Sequence, residues 1–227
     1  MRTPQVIQEE IVQCRRCPRL VNHREMIARK KRRQYMGWTY WGRPVPSFGD
    51  PEARLLLIGL APAAHGGNRT GRIFTGDRSG DWLFRVLHET GFANQPTSTH
   101  RGDGLALKDC YITAIIHCAP PDNKPARDEI INCRAYLIEE MTMLRQVRVV
   151  VALGRIAFDY YLDACQALGW PRPSPRPIFG HGKFYVLDHG VTLITSYHPS
   201  QQNTLTGRLT RRMLKSVFIK ARELLNR

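Results

Sequence analysis

The chain has 227 residues, 42% of them hydrophobic, which suits one large globular core. Nowhere does an apolar run reach the roughly 20 residues of a bilayer span. Lys and Arg number 34 against 19 Asp and Glu, a formal charge of +15 that draws polyanions, nucleic acid before acidic membrane. The opening "MRTPQVIQEEIVQC" interrupts its apolar residues with charge, unlike a signal peptide, so the chain is expected inside the cell. Six cysteines in that setting are not expected to form structural disulfides.

"TPQVIQEEIVQC" places Val6, Ile7, Ile11 and Val12 at helical spacing, with Thr3 as cap and Pro4 in the first turn. "CRRCPRLVNHREMIARKKRRQYMGWTYWG" then sets a C-x-x-C turn before a basic cluster and an aromatic stretch. It reads either as a solvated helix running into a surface loop or as a patch that follows a nucleic-acid backbone. "RLLLIG" is a buried strand, and "SGDWLFRVLHETG" a helix capped by Ser79 and stopped at Gly91. "DCYITAIIHC" is a second strand before the helix "ARDEIINCRAYLIEEMTML"; "VRVVVALG" is a third before "RIAFDYYLDACQAL". A proline-rich loop, "GWPRPSPRPIFGHGK", precedes the fourth strand, "VTLITSYHPS". The closing helix, "GRLTRRMLKSVFIKARELLNR", carries Leu209, Met213, Val217 and Leu224 on one side. This alternation predicts a parallel sheet between helices, in a single domain over 1–227.

Open α/β sheets bind ligands at the carboxyl ends of their strands. Three loops of unusual content leave those ends, at 59–80, 117–124 and 197–209. The first is rich in glycine and far longer than the ordinary connection of about 2–6 residues. Cys14 and Cys17 form the C-x-x-C turn, and Cys118 and Cys133 bracket "APPDNKPARDEIIN". The four close on one metal centre if the first helix packs beside that loop. Spacing leaves zinc and iron–sulfur both open: zinc ribbons use two close pairs, whereas four thiolates without histidine suit a [4Fe–4S] cluster. A thioredoxin-like redox pair fits less well, because "CRRC" does not follow a strand. Cys110 and Cys165 read as small buried hydrophobes.

"GLAPAAHGGNRTGRIFTGD", "YHPSQQNTLTGRLT" and the four-cysteine arrangement together resemble the family 5 uracil-DNA glycosylases, iron–sulfur members of the uracil-DNA glycosylase superfamily. The resemblance runs from Cys14 to about Arg212. It implies a three-layer α/β/α sandwich on a central four-stranded parallel sheet. It also implies a mainly structural [4Fe–4S] cluster held by Cys14, Cys17, Cys118 and Cys133 in an N-terminal iron–sulfur segment. The implied activity is removal of uracil, and of hypoxanthine and xanthine, from double-stranded DNA. No lysine nucleophile is evident, so the expected product is an abasic site without strand cleavage. A monomer is expected, associated with the nucleoid and not with membrane.

A glycosylase extrudes its nucleotide into a close-fitting pocket. The resemblance implies that Gly59 lets the backbone approach the base, that Leu60 and Ala61 offer main-chain hydrogen bonds, and that Phe74 is the stacking face. Gly66, Gly67 and Gly71 would let the loop pass near phosphates. His198, its turn fixed by Pro199, would donate to O2 of the leaving base. Ser200 would meet a phosphate, and Gln202 or Leu205 would fill the vacated stack. Leu60 stands where neighbouring families carry the acidic or amide residue that handles water. Asp77 is therefore the nearest carboxylate for orienting water or balancing a cationic sugar, its alternative task being a helix cap. Asn123 is a second group for positioning water or base. Ala114 replaces the asparagine of uracil-restricted relatives, which predicts a permissive pocket. Two rival readings stand beside this one. A nucleotide-processing hydrolase would cradle phosphate with "GLAPAAHGG", although no G-x-x-x-x-G-K-[ST] pattern occurs. An iron–sulfur or zinc DNA-binding module would have no glycosylase activity.

Overall fold

The computed structural model describes residues 3–226. Arg227, at the end of the last predicted helix, and residues 1 and 2 of the predicted domain lie outside the described residues. In chain order the strands are β1 (Phe48–Gly49), β2 (Leu55–Gly59), β3 (Cys110–Ala114), β4 (Val149–Leu153), β5 (Phe184–Val186) and β6 (Thr192–Ser196). The helices are α1 (Pro4–Gln13), α2 (Pro18–Lys30), α3 (Gly67–Thr70), α4 (Arg78–Glu89), α5 (Arg127–Met143), α6 (Arg155–Ala167), α7 (Gln201–Leu205) and α8 (Arg211–Leu225).

β2, β3, β4 and β6 are buried along their whole length, as strands covered on both faces are, and β2 and β4 are apolar throughout. They pair in parallel, in the order β3-β2-β4-β6. The expected four-stranded sheet is the centre of a larger one. β1 and β5 add an antiparallel edge on either side, giving six strands. At two and three residues these edges are too short to carry a periodic pattern, and loop-forming Gly and Pro surround them.

Side chains alternate across the sheet. Leu55, Leu57, Ile112, Val151 and Ile194 join one core with α4 and α8; Leu56, Ile58, Tyr111, Val150 and Leu193 join another with α5 and α6. Three layers result. α1 then packs on α5 through Ile7, Ile11 and Tyr136. Thr3 caps α1 as expected, its hydroxyl accepting from the Val6 amide at 3.4 Å. α4 differs from expectation: Asp77 is the cap, accepting from the Gly80 amide at 3.0 Å, and Ser79 lies inside the helix. The buried stripe of α8 is Leu214, Val217, Phe218, Ala221 and Leu225, rotated from the predicted one. Met213 and Leu224 lie at its margin because the sheet covers the arc centred on Phe218.

The connection after β2 leads to a helix on one face, while those after β3 and β4 lead to helices on the other. That divergence opens a crevice at the carboxyl end of β2. No helix among the described residues is long and apolar enough to cross a membrane.

One polar network is sealed inside. Glu140 on α5 is fully buried and accepts from Thr113 at 2.5 Å and from Tyr111 at 3.3 Å. Burial pushes its carboxyl up to about 7, against the hydroxyls of Ser47, Thr113 and Tyr111 that favour the anion. A carboxyl raised on folding contributes stability below its unfolded pKa and loses it as pH rises through the folded value. The Glu140 contribution should therefore decline between about pH 4.5 and 7. Subtracting the Tm–pH profile of Glu140→Gln from that of the parent should isolate this decline. Parallel profiles would show that the carboxyl ionises as it does in water.

Candidate active site and cysteine centre

The loop after β2 is pinned by two buried arginines. Arg69, in α3, donates to the carbonyls of His65 at 2.8 Å and Gly76 at 2.7 Å. Its guanidinium also lies over the rings of Tyr35 and Trp38, at 3.9 and 4.2 Å from their centroids. Arg72 donates to Thr75 at 2.9 Å, Ser98 at 2.8 Å and Asp103 at 2.7 Å. Burial alone would raise the Asp103 carboxyl. Arg72 and the amides of Thr99, Leu105 and His100 nevertheless hold it well below the usual carboxylate range. An irregular segment of some length thus has its charges and backbone groups satisfied internally.

Pinning places Phe74 at the end of β2. Its ring fills the space beside Gly59, where an added Cβ would meet ring carbons at 2.9 and 3.0 Å. The missing side chain of Gly59 thus makes room for Phe74. Gly80 serves the same residue, since a Cβ there would stand 1.7 Å from the Phe74 carbonyl oxygen. The three loop glycines are also sites of close packing. Gly66 is covered by Asp77, Gly67 by Pro62, and Gly71 by Trp41 and Arg101. Leu60 and Ala61 are half-buried, and the Leu60 carbonyl accepts from the Ile116 amide at 3.0 Å. Ala114 ends β3 beside Gly59 and is buried.

Across β4, the loop after β6 brings His198 to meet Phe74. Their ring centroids are 5.8 Å apart and the planes 30° apart. Gly154 ends the strand between them, and a Cβ there would touch that of His198 at 3.4 Å. Burial pushes the His198 imidazole down to about 4, so it is neutral at pH 7. The Asn203 amide holds the His198 carbonyl at 2.8 Å. Ser200 caps α7, its hydroxyl oxygen accepting from the Asn203 backbone amide at 3.4 Å. Gln202 and Leu205 lie on that short helix, both exposed, Leu205 by 65%.

Asp77 lies against Gly66 while capping α4. Burial raises its carboxyl pKa, opposed by hydrogen bonds from the Gly80 and Ser79 backbone and by the charge of Arg69. Asn123 is exposed at the end of a short turn with φ +56°, a left-handed conformation that asparagine tolerates well.

The four cysteines meet from three segments. Cys14 closes α1, Cys17 opens α2, Cys118 follows β3 and Cys133 lies on α5. All line one cavity, walled mostly by apolar side chains including Ile11, Leu20 and Val21. Among the described residues, no three His, Cys, Asp or Glu side chains converge as a site for a single metal ion. Burial pushes the Cys118 thiol up to about 11 and raises those of Cys17 and Cys133 as well. Arg24 donates to the Cys118 sulfur at 2.9 Å, and Asn132 to that of Cys17 at 3.6 Å. Arg19 on α2 grips Glu129 on α5 through two bonds of 2.8 Å, locking the two cysteine-bearing helices together. Cys110 and Cys165 are buried elsewhere, as expected.

Sequence reasoning missed Arg24, Arg69, Arg72 and Asp103. Arg72 and Asp103 lie 31 residues apart in chain, with no local spacing rule to join them. The only available signal was arginine inside an otherwise glycine-rich loop, "GNRTGR".

Residues 46–222 match the family model of the uracil DNA glycosylase superfamily. A type-5 uracil-DNA glycosylase of Thermus thermophilus is 51% identical over 216 residues, 95% of each chain. One of Mycobacterium tuberculosis is 49% identical over 212 residues, 93% of this chain and 78% of its own. A type-4 uracil-DNA glycosylase of Saccharolobus solfataricus is 27% identical over 197 residues, covering 83% of this chain and 79% of its own.

The fit of Phe74 against Gly59 is directly testable. Forcing a methyl group into a packed contact costs about 1–3 kcal/mol. Gly59→Ala should lower stability to urea by that amount, and adding Phe74→Leu should recover most of the loss. Parent-like stability in Gly59→Ala would mean that the ring has room to shift.

Proposed function

The chain belongs to the uracil DNA glycosylase superfamily, among its type-5 members, and from that premise we propose how its residues hydrolyse the N-glycosidic bond of uracil in double-stranded DNA. The observation that carries the reading is the Phe74–His198 pair, two rings 5.8 Å apart where the loops after β2 and β6 meet. The extruded base stacks on Phe74, with main-chain groups of Leu60 and Ala61 along its edge. As the bond between C1′ and the base breaks, negative charge gathers on the base O2. A neutral His198 donates its N–H there, stabilising the anion without giving up its proton. Water adds to C1′, and its proton passes to the Asp77 carboxylate, while Asn123 helps orient water or base. The proton held by Asp77 is returned through solvent to the departing base anion, so the products are neutral free base and an abasic site, with no covalent intermediate. Ser200 donates to a phosphate, and Leu205, or Gln202 beside it, fills the vacated stack. The chain acts as a monomer and one domain, and the excess positive charge follows the DNA backbone.

Cys14, Cys17, Cys118 and Cys133 hold a [4Fe–4S] cluster. The donor set supports this reading: four soft sulfur donors surround an apolar cavity, and two buried nitrogens of its lining, Arg24 Nε and His117 Nε2, have no hydrogen-bond partner. Sulfurs distributed around a cavity suit a cluster that takes one thiolate per iron better than a single tetrahedral ion. Its role when bound is structural, joining α1, α2, the loop after β3 and α5.

Purified protein should carry about four irons per chain with broad visible absorption. Cys118→Ser should lose the metal and Cys165→Ser keep it. One zinc per chain without iron would exclude the cluster.

Removing a single stabilising donor costs about 10²–10³ in rate. His198→Ala should slow single-turnover excision by that factor. Asp77→Asn keeps the cap, because asparagine caps as well as aspartate. It should slow the chemical step without weakening DNA binding. The Asp77 carboxyl is raised, so the parent rate should fall as pH drops toward a value above the ordinary carboxylate range. Asp77→Asn should lack that limb. An unchanged rate and profile would leave Asp77 a cap alone.

Ala114 offers no side-chain hydrogen bond to a base edge. A site built around such a bond can reject the wrong partner by about 10⁴–10⁵, since polar groups are left buried and unpaired. With alanine there is none to strand. Hypoxanthine and xanthine should therefore be excised as well as uracil in parallel single-turnover assays on matched duplexes. Hypoxanthine release at background would mean that another residue reads the edge.

A further inference from the structure

Arg24 is charged, yet only 2% exposed. It lies on α2, and its guanidinium reaches into the wall of the cysteine cavity. Nη1 donates to the Cys118 sulfur at 2.9 Å, and both terminal nitrogens reach the Cys14 carbonyl at 3.3–3.4 Å. Nε is buried without a hydrogen-bond partner. Leaving a charged donor buried and unsatisfied costs more than an ordinary hydrogen bond returns. An acceptor inside the cavity resolves that cost.

From the other side, the main chain of Arg24 holds the base loop. Its carbonyl accepts from the side-chain amide of Asn68 at 3.2 Å. Asn68 is fully buried in α3, one residue before Arg69. A single residue therefore touches the cysteine centre with its side chain and the base loop with its backbone.

Resting on the reading that the four cysteines hold an iron–sulfur cluster, we propose that Arg24 is the positioning residue of that centre, its guanidinium providing both counter-charge and hydrogen bonds to the sulfur shell. Four thiolates leave such a centre net negative in an apolar cavity, where a buried anion requires a nearby cation. The fork also fixes the Cys118 sulfur, as partners beyond the ligands orient other metal sites. Lysine keeps the charge but lacks the fork; glutamine keeps a donor but loses the charge.

The test uses iron-loaded protein as purified, comparing the parent with Arg24→Gln and Arg24→Lys. The readouts are the rate of iron release to a chelator and the midpoint potential of the cluster. Losing an outer partner typically costs about 10–100-fold in metal affinity. Arg24→Gln should release iron faster by such a factor, and its potential should move negative because the oxidised, more positive state is less opposed. Arg24→Lys should stay near the parent potential while still releasing iron faster. If Arg24→Gln does not fold, that combination in Arg24→Lys supports the proposal by itself. Parent-like release of iron in the variants that fold overturns it. A parent chain without iron overturns the cluster reading and this proposal together, whereas an iron-loaded parent with unaffected variants removes this proposal alone.

Discussion

The ring of Phe74 lies on the bare backbone of Gly59, and that contact decides where the rest of the crevice stands. β2 is the strand at which the connections diverge to opposite faces, so its carboxyl end is where a cleft opens. An aromatic ring pressed onto the strand terminus forms one wall. His198, arriving from β6 past Gly154, forms the facing part of it. Asp77 rests on Gly66 just behind. Phe74 and Asp77 are thus set by close approaches that a single methyl group would obstruct, whereas a methyl at Gly154 would meet His198 at an ordinary contact distance.

Such a loop stays in place only if its charges are compensated inside the protein. Arg72 and Asp103 are nearly sealed from water, with side-chain exposures of 5% and 7%. Burying the pair is expensive, but Asp103 also collects three backbone amides and Arg72 two hydroxyls, so each has its hydrogen bonds met. Arg69 uses aromatic faces instead of a carboxylate. The result is a pre-organised wall beside Phe74 and His198, and pre-organisation of this kind is what spares a site rearrangement during reaction.

The cysteine centre lies away from the Phe74–His198 pair but not apart from it. α2 carries Cys17 at its start and Arg24 in its middle, and beyond its end the basic segment reaches Tyr35 and Trp38, on which Arg69 rests. Tyr40 continues the link by bonding His65 at 3.0 Å. A group that orders α2 therefore orders one side of the base loop as well. A group bound by the four cysteines would contribute to order in this way, since binding free energy at such a centre is also folding free energy.

Local pattern alone determined much of this protein. β2 and β4 were legible as five-residue apolar runs, β3 and β6 as short stretches rich in β-branched residues before turn signals, and the long helices by apolar residues at 3.6 spacing. The C-x-x-C turn and the split pair marked four cysteines that the structure brings to one cavity, α1 packing on α5 beside the loop that carries Cys118. Asp77 and His198 were singled out by the family resemblance of the motifs that carry them, not by local pattern, which reads the one as a helix cap and the other as a turn residue. What tertiary structure decided was everything that depends on distant partners. The edge strands form because a long sheet edge recruits them, not because two or three residues prefer it. Arg72 finds Asp103, Arg24 finds Cys118, and Gly59 accepts Phe74 only after the chain has folded. Sequence periodicity reports which face of an element is apolar; it carries no record of which buried charge will meet which, because burial is a property of the whole packed molecule.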